Sequence, residues 1–152
     1  MASNIKEEIE DKIIDWIALG SGGRLIAVKP ENGPDLVVQR RGDYHQKEIV
    51  FIIKSFIKPA KEDNFQINDV PKGFDSKKNY FLLCVVFDEI AQKIEEKVWL
   101  VPFTDLKGVE VFESKSYAKY LIDKKDFTNF LIDKLVAQNK AKKHAGFQRK
   151  VY

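Results

Sequence analysis

Residues 33–38 read Gly-Pro-Asp-Leu-Val-Val, and residues 48–54 read Glu-Ile-Val-Phe-Ile-Ile-Lys. Both stretches have the length and the β-branched composition of strands, and the polar residues between them indicate a hairpin turn. The first strand opens on an acid, Asp35, directly after a Gly-Pro corner, and the second ends on a lysine, Lys54. The pattern therefore predicts two adjacent strands with an acid and a lysine at their ends.

The flanking sequence predicts further helices and strands. Apolar residues recur at helical spacing from Ile5 to Ile17, and the run Gly20-Ser21-Gly22-Gly23 is expected to end this helix. A near-continuous apolar run at 80–88 indicates a central strand. Other strands are predicted at 24–28, 35–39, 48–56 and 97–103, a second amphipathic helix at 126–136, and a long loop at 57–78. This order predicts an α/β fold in which helices flank a mixed central β-sheet.

The spacing of Asp35 and Lys54, with Pro34 directly before the acid and 18 residues between the two, resembles the motif of the PD-(D/E)xK nuclease superfamily. The order of the predicted elements is similar to the core of that superfamily over roughly residues 5–104. The resemblance implies a restriction-endonuclease-like core, within a single domain at residues 1–138. It also implies that the domain acts on nucleic acid, with DNA as the expected substrate, as a homodimer or beside a protein partner.

The resemblance further implies a metal site. In that superfamily, acids from the first helix and from two strands bind one or two magnesium ions, and the lysine orients the attacking water. These roles fall on Glu10 and Asp35 as Mg²⁺ ligands and on Lys54 as the catalytic lysine. Carboxylates suit the site because Mg²⁺ prefers oxygen ligands, and the ion would stabilise charge on the phosphate. Glu10 is expected to border the buried helix face, because its neighbours Ile13 and Ile17 are apolar.

Ile52 departs from the motif, which requires an acid two residues before the lysine. Side chains alternate along a strand, so Glu48 shares a face with Ile52 and Lys54. Glu48 lies about 13 Å from the motif position at ~3.3 Å per residue, which is too far to bind the same ion. The expected substitutes are acids of the predicted loop: Glu62, Asp63 and Asp69.

Asp35 and Lys54 also have purely structural explanations. An aspartate after Gly-Pro often stabilises a turn through its side chain. A lysine at the end of a buried strand often directs its amine to solvent while its stem packs on apolar neighbours. Both explanations stay open on the sequence alone.

The C-terminal segment 139–152 is basic: it carries five lysines and arginines and no acid. Such a segment with interleaved aromatic residues is able to follow a nucleic-acid backbone. A solvated chain end has the same composition. The expected nucleic-acid contacts are Lys142 and Lys143 in this tail and Arg40 and Arg41 in the predicted turn.

Composition argues against several other classes of protein. The chain has 152 residues, 44% of them hydrophobic, and a net charge of +3, which are values of an ordinary globular domain. No apolar run reaches the 18 or so residues of a membrane span, so a cytoplasmic location is expected. Two histidines and one cysteine provide no zinc-site spacing. The nucleophile elbow of serine hydrolases and the phosphate-binding loop of nucleotide-binding proteins are absent from the sequence.

Three functional hypotheses follow. The first is a Mg²⁺-dependent nuclease that uses Asp35, Glu10 and Lys54. The second is a catalytically degenerate module of the same fold that binds nucleic acid or a protein without cleavage, and Ile52 favours it. The third is an unrelated α/β interaction domain in which the Pro-Asp…Lys spacing arose by chance.

Overall fold

A computed structural model of the chain describes residues 2–31, 34–42, 47–60, 63–67 and 79–137, with only the main chain at 2–4. Several predicted residues therefore lie outside the described residues. They are the whole tail 139–152 with Lys142 and Lys143, and the loop acids Glu62 and Asp69.

Two α-helices and nine strands form the described part of the chain. The helices are α1 (Ala2–Gly20) and α2 (Lys124–Ile132), and a π-helical turn at Asp133–Ala137 extends α2. The strands are β1 (Leu25–Val28), β2 (Leu36–Arg40), β3 (Glu48–Lys58), β4 (Asn64–Gln66), β5 (Tyr80–Asp88), β6 (Lys93–Ile94), β7 (Lys97–Pro102), β8 (Val111–Glu113) and β9 (Leu121–Asp123). Two 3₁₀-helical segments, Phe103–Leu106 and Ser114–Tyr120, follow β7 and β8.

The main sheet is mixed, as the sequence predicts. Its strand order is β1-β2-β3-β5-β7-β9, and β6 pairs with β5 beside this path. Strands β1, β2 and β3 form an antiparallel meander, β3 and β5 are parallel, and β5, β7 and β9 are antiparallel. The run at 80–88 is a central strand with partners on both sides, which explains why nearly all of it is apolar. The α/β fold class with a mixed central sheet is thus confirmed.

Both α-helices pack on one face of the sheet. Ile9, Ile13 and Ile17 of α1 are fully buried there, because their helical spacing places them on one side. Phe127 and Leu131 of α2 join the same apolar cluster. We call this side of the sheet the helical face. It holds the side chains of α1 that belong to the candidate site.

The opposite side of the sheet, which we call the aromatic face, is covered by a two-stranded ladder of β4 and β8. Strand β3 contributes side chains to both faces, because successive side chains of a strand point to opposite sides. Phe51 and Ile53 belong to the helical-face cluster, and Ile52 and Phe56 belong to the aromatic-face cluster. This alternation decides which predicted site residues meet.

Part of the predicted loop at 57–78 is strand. Strand β3 continues to Lys58 because Ile57 and Lys58 keep the parallel pairing with β5. The prediction that Lys54 ends this strand is therefore wrong, since Lys54 lies within it. Strand β4 pairs with β8, and its Phe65 stacks on Phe112 with ring centroids 5.0 Å apart. Within the described ranges, neither helix combines the length and the apolar character that a membrane crossing needs.

Candidate functional site

Asp35 lies at the entrance to β2, where both of its carboxylate oxygens are engaged. Oδ2 accepts a hydrogen bond of 2.8 Å from the main-chain N–H of Ile53 in β3. Oδ1 accepts one of 3.0 Å from the ammonium of Lys6 in α1. The carboxylate therefore ties the start of β2 to the neighbouring strand and to the helix above it.

Lys6 connects Asp35 to the second predicted ligand, Glu10. The Lys6 Nζ lies 3.0 Å from Oδ1 of Asp35 and 3.9 Å from Oε2 of Glu10. Lys6 and Glu10 are one helical turn apart, so they extend from the same side of α1. The structure thus brings Glu10 and Asp35 together around a cation that the chain itself provides.

Glu10 is a buried carboxylate, as its apolar neighbours predict: the residue is 7% exposed. Burial raises its pKa, and the nearby charge of Asp35 raises it further, while Lys6 and Lys29 oppose both effects. The Lys29 Nζ lies 3.8 Å from Oε1 of Glu10 and 2.8 Å from Asp11. Two lysines therefore flank a carboxylate whose ionised form burial disfavours.

Lys54 does not join this group. Its ammonium lies over the ring of Phe65, 5.9 Å from the centroid, on the aromatic face. Lys54 follows the alternation of Ile52 and Phe56, whereas Asp35 contacts Lys6 on the helical face. The sheet therefore separates the ammonium of Lys54 from the two carboxylates that the motif requires beside it.

Ile52 is in the motif position of the missing acid, and its side chain belongs to the core. It is 6% exposed and packs in the aromatic-face cluster with Phe56, Leu82 and Val101. An apolar side chain in that environment provides no oxygen for a metal. The position contributes to packing instead.

The described residues do not fit a Mg²⁺ site. Mg²⁺ requires near-octahedral oxygen coordination, commonly from one or two carboxylates with water and phosphate. Here both oxygens of Asp35 already accept hydrogen bonds, and an ammonium lies between Asp35 and Glu10. Asp63 does not join them, since it lies beside β4, where its side chain accepts from Asn64. No three His, Cys, Asp or Glu side chains within the described ranges are grouped to hold a metal ion.

Arg40 and Arg41 lie at the other end of β2 from Asp35. Arg40 lies five positions after Asp35 along the strand, which corresponds to about 16 Å at ~3.3 Å per residue. The Arg41 guanidinium donates through Nε to the carbonyl of Gly23, at 2.7 Å. These arginines therefore form a feature distinct from the acids at the start of β2.

Lys6 and Lys29 are partners of Glu10 that the sequence-based predictions do not include. Lys6 and Glu10 are four residues apart on a helix, and this spacing in the sequence indicates that their side chains are neighbours. Lys29 follows β1, and only the packing of β1 against α1 brings it near Glu10. That contact has no signature in the local sequence.

Glu10→Gln is expected to raise the stability of the folded chain at neutral pH. Because the folded pKa of Glu10 is raised, ionised Glu10 opposes folding above its ordinary pKa. Below that pKa, Glu10 is protonated in both states, so the difference between variant and native chain should disappear as the pH falls. Urea unfolding across this pH range measures the effect.

Glu8→Gln provides the control for Glu10→Gln, because Glu8 is on the same helix with a more exposed side chain. It should change stability less at neutral pH. A Glu10→Gln variant that is less stable than the native chain at neutral pH would show that the lysines outweigh the burial of the carboxylate.

Comparison with known proteins assigns the chain to no family. No protein-family model matches the chain, and no curated protein matches its sequence.

Proposed function

We propose that the protein binds nucleic acid through a nuclease-like α/β scaffold and does not cleave it. One observation carries the proposal: the ammonium of Lys54 and the carboxylates of Asp35 and Glu10 lie on opposite faces of the sheet. Hydrolysis by the mechanism that the motif implies needs these groups on one phosphate. The described residues lack that arrangement.

Two further features support a chain without the cleavage chemistry. Ile52 packs in the apolar core at the position where the motif requires an acid. Lys6 provides a positive charge between the two carboxylates, where the superfamily would bind Mg²⁺. The acids therefore have their charge balanced without a metal, and their role is to join α1, β2 and β3.

Support for nucleic-acid binding comes from the distribution of charge. The net charge is +3, and the tail 139–152 carries five lysines and arginines and no acid. Arg24 and Arg41 are exposed at one corner of the described structure. Polyanions bind such surfaces through their phosphates, largely independent of base sequence. The homodimer or partner protein that the resemblance implies remains a prediction.

The first test combines cleavage with binding. Plasmid and single-stranded DNA are incubated with the native chain in Mg²⁺ or Mn²⁺, beside Asp35→Ala and Lys54→Ala. We expect no cleavage by any of the three proteins, and no rise in melting temperature with Mg²⁺ beyond that from an inert salt of equal ionic strength. The same DNA should bind with an affinity that falls steeply as the salt concentration rises. For a duplex, each phosphate contact should add about 0.9 to the steepness of the plot of log binding constant against log salt concentration.

Two outcomes would contradict the proposal. Cleavage by the native chain that both variants lose would establish the metal-dependent nuclease and require a further acid from outside the described residues. Absence of both cleavage and binding at low salt would leave the α/β interaction domain as the explanation.

A further inference from the structure

The turn that ends α1 is held by several hydrogen bonds. The N–H of Gly23 donates to the carbonyl of Ala18 and that of Gly22 to Leu19, which is the pattern of a Schellman motif. Gly22 has a φ of 63°, a left-handed conformation that glycine adopts without strain. The hydroxyl of Ser21, fully buried, accepts from the N–H of Leu25 at 3.1 Å. These hydrogen bonds hold the turn at residues 21–23 in one conformation.

Two arginines donate hydrogen bonds to carbonyl oxygens of this turn: Arg24 directly precedes β1, and Arg41 directly follows β2. The Nε of Arg24 donates to the carbonyl of Ser21 at 2.9 Å, and the Nε of Arg41 donates to that of Gly23 at 2.7 Å. The main chains meet as well, since the N–H of Arg41 donates to the carbonyl of Arg24 at 2.8 Å. Both guanidinium groups are thus positioned by carbonyl oxygens two residues apart. We call this pair the arginine corner.

The arginine corner carries a positive charge that no described carboxylate neutralises. Neither Arg24 nor Arg41 forms an ion pair with another described residue, and both are exposed. The acid at the same end of β2, Glu48, accepts a hydrogen bond from Gln39 instead. Each guanidinium uses Nε for its anchor and retains its two terminal NH₂ groups as donors.

These features match the requirements of a phosphate-binding pair. Guanidinium groups bind phosphate oxygens through several parallel donors and are less strongly hydrated than ammonium groups. Anchoring each Nε reduces the side-chain entropy that binding would otherwise remove. The partial negative charge at the C-terminus of α1 accounts for the anchors, but it leaves most of the two positive charges exposed to solvent.

We propose that Arg24 and Arg41 form a phosphodiester-binding site for the backbone of a nucleic acid. The inference rests on the proposed function, and it identifies the site among the described residues that carries it. Arg24 lies in no predicted motif, and its role follows from the anchoring geometry.

The test is fluorescence anisotropy with labelled single-stranded and duplex DNA between about 50 and 200 mM salt. Arg24→Gln and Arg41→Gln should each reduce the logarithmic salt slope by about 0.7 on single strands and about 0.9 on duplex, and the double variant by about twice as much. Lys93→Gln removes one exposed charge at the opposite end of the sheet and should leave the slope unchanged. Thermal melts of every variant report whether folding is retained.

Arg24→Lys and Arg41→Lys separate charge from structure. Both keep the positive charge and lose the Nε anchor, so they should retain most of the salt slope even where they lower the melting temperature. A purely structural role for the arginines would instead change the melting temperatures and leave all slopes equal to the native value.

Three results would overturn the inference, and they are distinguishable. Native binding with unchanged slopes in the double variant would reject the arginine corner and leave the proposed function intact. Absence of any DNA binding would reject both. Thermal stabilisation by inorganic phosphate at constant ionic strength, lost in the double variant and without DNA binding, would assign the corner to a free phosphate rather than to a polynucleotide.

Discussion

Ile52→Glu is expected to destabilise the protein and to create no metal site, although it restores the residue that the nuclease motif requires. The side chain at position 52 is 6% exposed and packs among Phe56, Leu82 and Val101. A carboxylate there would lose its hydration without gaining a hydrogen-bond donor from these neighbours, and the Lys54 ammonium on the same face, held over Phe65, would offset only part of that loss. A buried charge that is not fully paired reduces the free energy of unfolding by up to about 3–5 kcal/mol.

The pH dependence identifies charge burial as the cause. Burial should raise the folded pKa of a glutamate at position 52 above its unfolded value. The destabilisation should therefore be largest at neutral pH and shrink as the pH falls towards the unfolded pKa, where the carboxyl is protonated in both states. Urea unfolding of Ile52→Glu at several pH values, beside the native chain, measures this.

Two controls complete the experiment. Glutamine has nearly the shape of glutamate but no charge. Ile52→Gln should therefore destabilise the protein less than Ile52→Glu at neutral pH, and its effect should not depend on pH in this way. Ile52→Leu conserves volume and should reduce stability by less than about 1.5 kcal/mol. A stable Ile52→Glu variant whose melting temperature rises with Mg²⁺ would show that the acid reaches Asp35, which would contradict the placement of the two residues on opposite faces.

The apolar pattern of the sequence predicts the central part of the fold because burial determines it. Strands β3, β5 and β7 consist largely of apolar residues that contact both faces, so their positions follow from composition and length. Helix α1 is equally clear, since Ile9, Ile13 and Ile17 recur at helical spacing and are all fully buried.

The β4–β8 ladder could not be predicted in the same way. Each of its strands has three residues, which is too short for an alternation pattern to be distinguished from a loop. Its stability comes from tertiary contacts, chiefly the stacking of Phe65 on Phe112 and of Phe112 on Tyr117. These aromatic pairs join segments far apart in the sequence.

The candidate site shows a different limit. The spacing of Asp35 and Lys54 correctly predicts two adjacent strands, but Asp35 lies just before β2 and Lys54 lies within β3. It does not predict the face on which each side chain lies, because Asp35 precedes the first residue of β2 and is outside its alternation. The contact with Lys6 depends on where α1 crosses the sheet, which is a tertiary property.

Gly20→Ala is expected to destabilise the protein by about 1–3 kcal/mol through steric conflict at the contact between the two helices. A Cβ at Gly20 would lie 2.7 Å from Cγ2 and 2.8 Å from Oγ1 of Thr128 in α2. Thr128 is 5% exposed, and its hydroxyl donates to the carbonyl of Lys124, so the side chain has little freedom to move away. The conflict should outweigh the gain of up to about 1 kcal/mol that alanine normally brings to a helix.

A double-mutant cycle tests the contact, with chemical denaturation as the measurement. Thr128→Ala removes both conflicting atoms, so Gly20→Ala should cost less in its presence, with an interaction energy of about 1–2 kcal/mol. Thr128→Ser removes only Cγ2 and keeps the 2.8 Å conflict, so it should rescue Gly20→Ala less well. Equal rescue by Thr128→Ser and Thr128→Ala would contradict the steric explanation. A Gly20→Ala chain more stable than the native one would show that a Cβ at position 20 does not clash with Thr128. If the rescue follows the expected order, the α1–α2 contact fixes the end of α1 that carries the turn at Ser21, and thereby the carbonyl oxygens to which Arg24 and Arg41 are anchored.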